Sequence, residues 1–287
     1  MQDSLTRRAL LATAVGLPIC LHAEERGAVE AQRLRVRFSL GFVNPRETEL
    51  AHQRIWCYLP ASLLPAQQLA HVTARPSMAL HRDHVGHNYA SVEIATVPAH
   101  GRVYIAFDAQ VQMANVGEPV AAPADWLTPE RFIESDHPDI MALARGLRQL
   151  SEHATVEAIF DWVATEVSYA GYLADDRGAL YALTERRGDC TEQADLVVAL
   201  ARACSIPARM AGGYVVERDT VLNAVDYHNW AEVGLDGNWH IVDANRRELF
   251  PSTCRYLRFR LYRDVPTNPL GFAHRHAVEG ALQAIES

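Results

Sequence analysis

Lysine is missing from this chain: all 27 basic residues are arginine. A GC-rich genome that favours arginine codons accounts for the bias, and the chemical consequence is a chain without side-chain amines. Excess positive charge is missing as well. The formal charge is −8 at pH 7, which excludes an electrostatic grip on nucleic acid. Beyond the N-terminal segment there is no apolar run of the ~18 residues a membrane-spanning helix needs, so the mature chain is not expected to insert in a membrane. Cysteine is scarce, at positions 20, 57, 190, 204 and 254, and the spacing makes neither a CxxC zinc site nor a dense disulfide framework. Internal repeats and low-complexity tracts are absent too.

What is present fits a globular protein with a sizeable core: 287 residues, 49% apolar and 22% charged, enough for two ordinary domains or one large one. The first 23 residues, "MQDSLTRRALLATAVGLPICLHA", stand apart. A basic pair at Arg7 and Arg8 precedes an apolar run from Ala9 to Ile19, and Ala23 offers a cleavage point. That run is too short to span a bilayer and reads as a signal peptide of twin-arginine type, which predicts a periplasmic or secreted protein. Four cysteines would survive processing, so a disulfide is allowed in that compartment, although small buried hydrophobes are the default reading for Cys57, Cys204 and Cys254.

The mature chain changes character along its length. "LRVRFSLGF" alternates so that Leu34, Val36, Phe38, Leu40 and Phe42 share one face, the mark of a half-buried strand. "RIWCYLP", "NYASVEIATV" and "RVYIAFDAQVQM" read as three more strands, so residues 30–118 are expected to form a small antiparallel β domain. The proline-bearing "GEPVAAPADWLTPE" reads as a linker. Helical periodicity follows in "HPDIMALARGLRQL", "TVEAIFDWVATEV" and "GALYALTER", then in a run from Cys190 to about Cys204 that stops before Pro207. Strand-like runs close the region, with "LDGN" as a tight-turn signal between "HNWAEVGL" and "NWHIVDA". Residues 119–265 therefore read as an α+β catalytic-style domain. Residues 266–287 read as a loop-like tail with a closing helix over 277–285.

The chemistry concentrates at "RRGDCTEQADLVVAL". Asp189 and Glu192 have the spacing of N-cap and N3 in a capping box, which makes Cys190 the first helical residue. Unpaired amides and the helix dipole favour a thiolate there, the two carboxylates oppose it, and the thiol needs a cationic partner. Among 13 histidines, His228 stands out because it opens a strand. A hairpin turning at Asp236 and Gly237 brings the start of that strand beside the end of the next, at Asp243. Thiol, imidazole and orienting carboxylate make a nucleophile–base–orienter set.

"GDCTEQADLVVALARACSIPAR … YHNWAEVGLDGNWHIVDA" resembles the transglutaminase-like superfamily, in which a Gly-x-Cys-x-(Glu/Asp) helix start is followed by a His-x-Trp strand and an Asp strand. The resemblance implies a papain-like/transglutaminase-like catalytic domain, here preceded by the small antiparallel β domain, as in bacterial exported members. It implies Cys190 as nucleophile, His228 as general base and acid, and Asp243 as the residue that orients the imidazole. The oxyanion would be held by the Cys190 backbone N–H and a further donor, for which Tyr169 is the candidate. Trp230 is expected to pack behind the histidine and shape the substrate site. Two departures, Asn229 after the histidine and "DANRREL" in place of an Asp-Pro turn, bear on substrate fit.

The remaining polar signals have blander readings. Asp189 and Glu192 are expected as caps, Tyr227 and Trp162 as wall or core residues, and His240 as solvent-facing. "HRDHVGH" offers His81, Asp83, His84 and His87 at metal-like spacing, but reads as an exposed loop, so no metal and no cofactor are expected. The leading expectation is a peptidase or amidase acting on a peptide or protein through a thioester. A crosslinking acyltransferase, which a lysine-free chain would spare from self-crosslinking, and a non-catalytic binding module are the alternatives. Oligomeric state is left open.

Overall fold

The computed structural model describes residues 31–285; the leader-like segment with Cys20 lies outside them. The fold is α+β, with antiparallel sheets. Strands Ala31–Val43 and Arg102–Ala114 pair along their whole length, from Ala31 opposite Ala114 to Val43 opposite Arg102. Period-two alternation puts Leu34, Val36, Phe38, Leu40 and Phe42 inside, with Phe38 stacked on Phe107 at 4.8 Å between ring centroids. A second sheet holds Leu50–Leu59, Asn88–Val97 and Ala79–Arg82. The two sheets share one apolar core, which also takes in Tyr214, Leu257 and Phe259 from later in the chain.

Three parts of this layer differ from the expectation. Gln67–Arg75 and Ala79–Arg82 are strands whose mostly exposed, polar side chains gave no alternation to read. The stretch read as a linker is packed: Glu118–Pro119 adds an edge to the later sheet, and Trp126 meets Trp239 edge-on. The closing helix expected over 277–285 is instead two short strands. His276–Glu279 pairs with Leu50–Leu59, and Gln283–Ala284 pairs with Ala31–Val43. Edge strands with unpaired backbone groups outweigh the weak helical period. Gly280, at φ 144°, makes the break between them, and Gln53 Oε1 accepts from the Ala281 N–H at 2.6 Å.

The second part of the chain builds a helical layer: α1 (Pro138–Leu147), α2 (Glu152–Glu166), α3 (Ala179–Glu185) and α4 (Cys190–Ala203). His137 and Ser151 cap the first two. Every residue of α4 from Thr191 to Arg202 is buried, because the other three helices and a six-stranded sheet enclose it. That sheet runs Glu248–Leu249, Asn238–Asp243, His228–Leu235, Ala208–Val215, Tyr256–Leu261, with Glu118–Pro119 also paired to Asn238–Asp243. The expected hairpin turns at Asp236 and Gly237, at φ 52° and 76°, the positive pair that a type I′ turn needs. Inside the sheet, Glu232 is fully buried between Arg209 and Arg258.

Candidate active site

The start of α4 is fixed by the predicted capping box. Asp189 Oδ1 accepts from the Thr191 N–H at 2.7 Å, and the Asp189 N–H donates to Glu192 Oε2 at 2.9 Å. Each acid has a second oxygen, and both are used on one loop. Asp189 Oδ2 accepts from the Leu173 N–H and Glu192 Oε1 from the Arg177 N–H, each at 3.0 Å. The acids beside Cys190 thus cap the helix and hold the 170–178 loop against it. Gly188 lets this happen, since a Cβ there would lie 2.6 Å from that of Glu192.

Cys190 is half-buried on this mount. The His228 imidazole lies between it and Asp243: Nε2 meets Asp243 Oδ2 at 2.7 Å, and the ring is close enough to Cys190 for the thiol to raise its pKa. With Nε2 taken by Asp243, Nδ1 is the nitrogen left for the thiol. Burial pushes the imidazole down, but the bond to Asp243 and the charges of Asp243 and Cys190 outweigh it and raise the ring to about 9. The three residues singled out in the sequence come together.

Asp243 is held in turn. The Arg246 N–H donates to its Oδ1 at 3.0 Å, and the Tyr256 hydroxyl donates to its Oδ2 at 2.9 Å. Burial pushes the Tyr256 phenol up, and the Asp243 charge adds to that, so it stays a donor. Nothing in "CRYLRF" points to Tyr256, because its partner is set by strand register rather than local sequence. Asn229 does more than its place in the sequence suggests. Its amide donates to Thr191 Oγ1 at 2.9 Å and its carbonyl accepts from the Tyr262 hydroxyl at 3.0 Å, which ties the helix start to the histidine strand. Gly212 makes room: a Cβ there would lie 2.6 Å from Asn229 Oδ1 and 2.5 Å from the Tyr227 hydroxyl.

Trp230 is 1% exposed, with its ring centroid 6.1 Å from that of His228 and its indole N–H directed to Glu232. It backs the histidine and has no open face for substrate. Tyr169 lies in a two-residue strand paired with Arg187–Gly188 and is 63% exposed. Burial of part of the ring, then the charges of Cys190 and Asp189, raise its phenol, so it lies within the field of the thiol.

The expectation of an exposed "HRDHVGH" loop holds for His84 and is corrected for His87 and the Asp83 side chain. These two side chains are buried and joined at 2.7 Å, while His87 Nε2 accepts from the Leu261 N–H at 2.8 Å. Thr267 and Asn268 also donate to Asp83, so the turn is locked to the later chain. Among the described residues no His, Cys, Asp and Glu group is arranged to hold a metal ion. His240 is half-buried, edge-on to Phe250 at 5.6 Å, rather than fully solvent-facing. Cys57, Cys204 and Cys254 are buried, and no disulfide forms among the described residues. No helix of the described residues is long and apolar enough to cross a membrane.

Residues 141–244 match the family model of the transglutaminase-like superfamily, a span that contains Cys190, His228 and Asp243. The chain is similar in fold to a "putative cysteine protease" from Cytophaga hutchinsonii, with a TM-score of 0.66 and 21% identity over 90% of this chain and 89% of that one. It is more distantly similar to the periplasmic domain of TgpA from Pseudomonas aeruginosa, with a TM-score of 0.41 and 21% identity over 72% of this chain and 73% of that one. No curated protein matches the sequence.

Proposed function

We propose that this chain, which carries a transglutaminase-like core over residues 141–244, is an exported cysteine hydrolase that cleaves amide bonds in a peptide or protein. The observation that carries the reading is one imidazole, raised to about 9, bonded to Asp243 at 2.7 Å and set beside Cys190. At neutral pH such a ring is an imidazolium, the cationic partner that a thiol flanked by two carboxylates needs.

The Cys190 thiolate adds to the amide carbonyl, and the oxyanion is met by the Cys190 backbone N–H, with Tyr169 as the further donor. The His228 imidazolium gives its proton to the leaving nitrogen as the C–N bond breaks, leaving a thioester and a neutral ring. The ring then takes a proton from water as that water attacks the thioester, and the thiolate and imidazolium are restored. Asp243, fixed by Tyr256 and Arg246, holds the ring in the orientation that serves both transfers. Export is supported by the leader-like segment.

Water is the expected acceptor. The lack of lysine favours one second reading, transfer to an amine, because the chain could not crosslink itself through side chains. Incubation with a glutamine-bearing donor and a labelled amine distinguishes them: release of ammonia without label supports hydrolysis, and incorporation supports transfer. Cys190→Ala is expected to abolish turnover and labelling by iodoacetamide at this site. Turnover that survives it rules out the thiol mechanism.

A further inference from the structure

Five residues beyond Cys190 on α4, Asp195 is 1% exposed and neither of its carboxyl oxygens has a hydrogen-bond partner. Leaving a buried carboxyl unpaired is costly, and native proteins do so at few positions. Asp195 lines a cavity of about 70 Å³, which the exposed Phe272 also lines. That is room for a small polar head or for about two waters at liquid density.

The wall carries both signs, Arg131, Arg260 and Arg263 beside Glu130, Asp176 and Asp264, and Asp195 is the carboxyl of this lining that has no partner. Burial pushes the Asp195 carboxyl well up, and the charges that add most to this are all carboxylates, those of Asp176, Glu192, Glu134 and Glu130. Asp176 and Glu130 line the same cavity but are met, by His274 at 3.1 Å and by Arg202 and Arg263 at 3.7 and 3.8 Å, which leaves Asp195 as the unmatched acid. The arginine nearest its aromatic wall, Arg260, is already engaged, stacked on the Tyr262 ring at 4.0 Å and donating to the Phe272 carbonyl at 3.1 Å.

The cavity also adjoins the reacting groups. Tyr262 lines it, feels the charge of Cys190, and donates its hydroxyl to Asn229, the neighbour of His228. Asp176 belongs to the loop that Asp189 and Glu192 hold. Asp195 itself lies about 7.5 Å past Cys190 along the helix axis, at 1.5 Å per residue.

We propose that this cavity is a subsite for a protonated nitrogen group of the substrate, an ammonium or guanidinium, and that Asp195 is the residue that selects it. The assignment of the group to a substrate rests on the amide-cleaving reading above; its binding does not. Two sources carry this chemistry, a basic side chain and a free α-amine.

The test has a binding arm and a turnover arm. In the first, n-butylammonium and the neutral n-butanol are titrated into the Cys190→Ala protein by NMR. Saturable binding of the ammonium at least tenfold tighter than of the alcohol is expected, with loss of that preference in Cys190→Ala/Asp195→Asn. Equal binding of both, no binding, or a preference that survives Asp195→Asn overturns the proposal and leaves a cavity for water alone. The ammonium–alcohol comparison without the Asp195 change needs no second variant to fold.

In the turnover arm, N-blocked peptides with lysine against norleucine, and unblocked against blocked norleucine peptides, separate the two sources. At least a tenfold kcat/KM preference for one cationic member over its neutral counterpart is expected, and loss of that preference in Asp195→Asn. Equal loss for cationic and neutral peptides overturns selection by Asp195. If no peptide is cleaved, the reaction reading fails and the binding arm alone decides the subsite.

Discussion

Asp243→Asn keeps the shape of the side chain that orients His228 and removes its charge. Burial by itself would hold the imidazole below its ordinary 6.5, and the hydrogen bond to Asp243 and the neighbouring Cys190 lift it instead to about 9. The gap between those values is worth roughly 3 kcal/mol in favour of the protonated ring, with the 2.7 Å bond to Asp243 as the largest raising contribution. Because the folded value lies above the unfolded one, this stabilisation is complete below pH 6.5 and is lost as the pH rises through about 9. Alkaline loss of turnover should follow the same ring. With asparagine in place, the midpoint should fall by about one pH unit or more, since a neutral acceptor replaces a carboxylate. Histidine ring resonances, with His228 assigned by its absence in His228→Ala, read the midpoint directly and need no substrate. A wild-type midpoint near 6.5, or one that Asp243→Asn leaves in place, refutes the account of the site.

Tyr256→Phe deletes the hydroxyl that donates to Asp243, so kcat should fall on the order of tenfold with little change in KM, and stability should fall by about 1 kcal/mol in urea titration. Asn229→Ala breaks the tie between Thr191 and Tyr262, and alkylation of Cys190 should slow on the order of tenfold while far-UV circular dichroism stays the same. Glu232→Gln leaves Arg209 and Arg258 buried without the full counter-charge, and should cost about 3–5 kcal/mol in denaturant titration.

Legibility in the sequence follows locality. The α4 cap depends on residues within three positions of one another, and the hairpin on two turn residues, so both are legible in the chain itself. Cys190, His228 and Asp243 are legible for the same reason: each sits at the end of an element with a local signal. The C-terminal strands are not, because their conformation is dictated by edges more than 200 residues away, as with the Arg54 and Glu279 pairing. Tyr256 and Asn229 act through partners chosen by sheet register. His87 looks exposed among polar neighbours, and only its contact with Leu261, 174 residues on, takes it inside.

The acids that flank the thiol are explained by where their oxygens go. Two carboxylates next to Cys190 would oppose a thiolate if they were free to act on it alone. Asp189 instead directs both oxygens to backbone N–H groups, of Thr191 and Leu173, and Glu192 directs its own to those of Asp189 and Arg177. Backbone donors offset much of the charge, and what they hold is the loop carrying Asp176 at the side of the Asp195 cavity. The same two residues therefore start the helix that presents the nucleophile and position a wall beside it. Asp195 has no such donors. Its unmet demand for them separates a carboxyl kept for structure from one open to a guest.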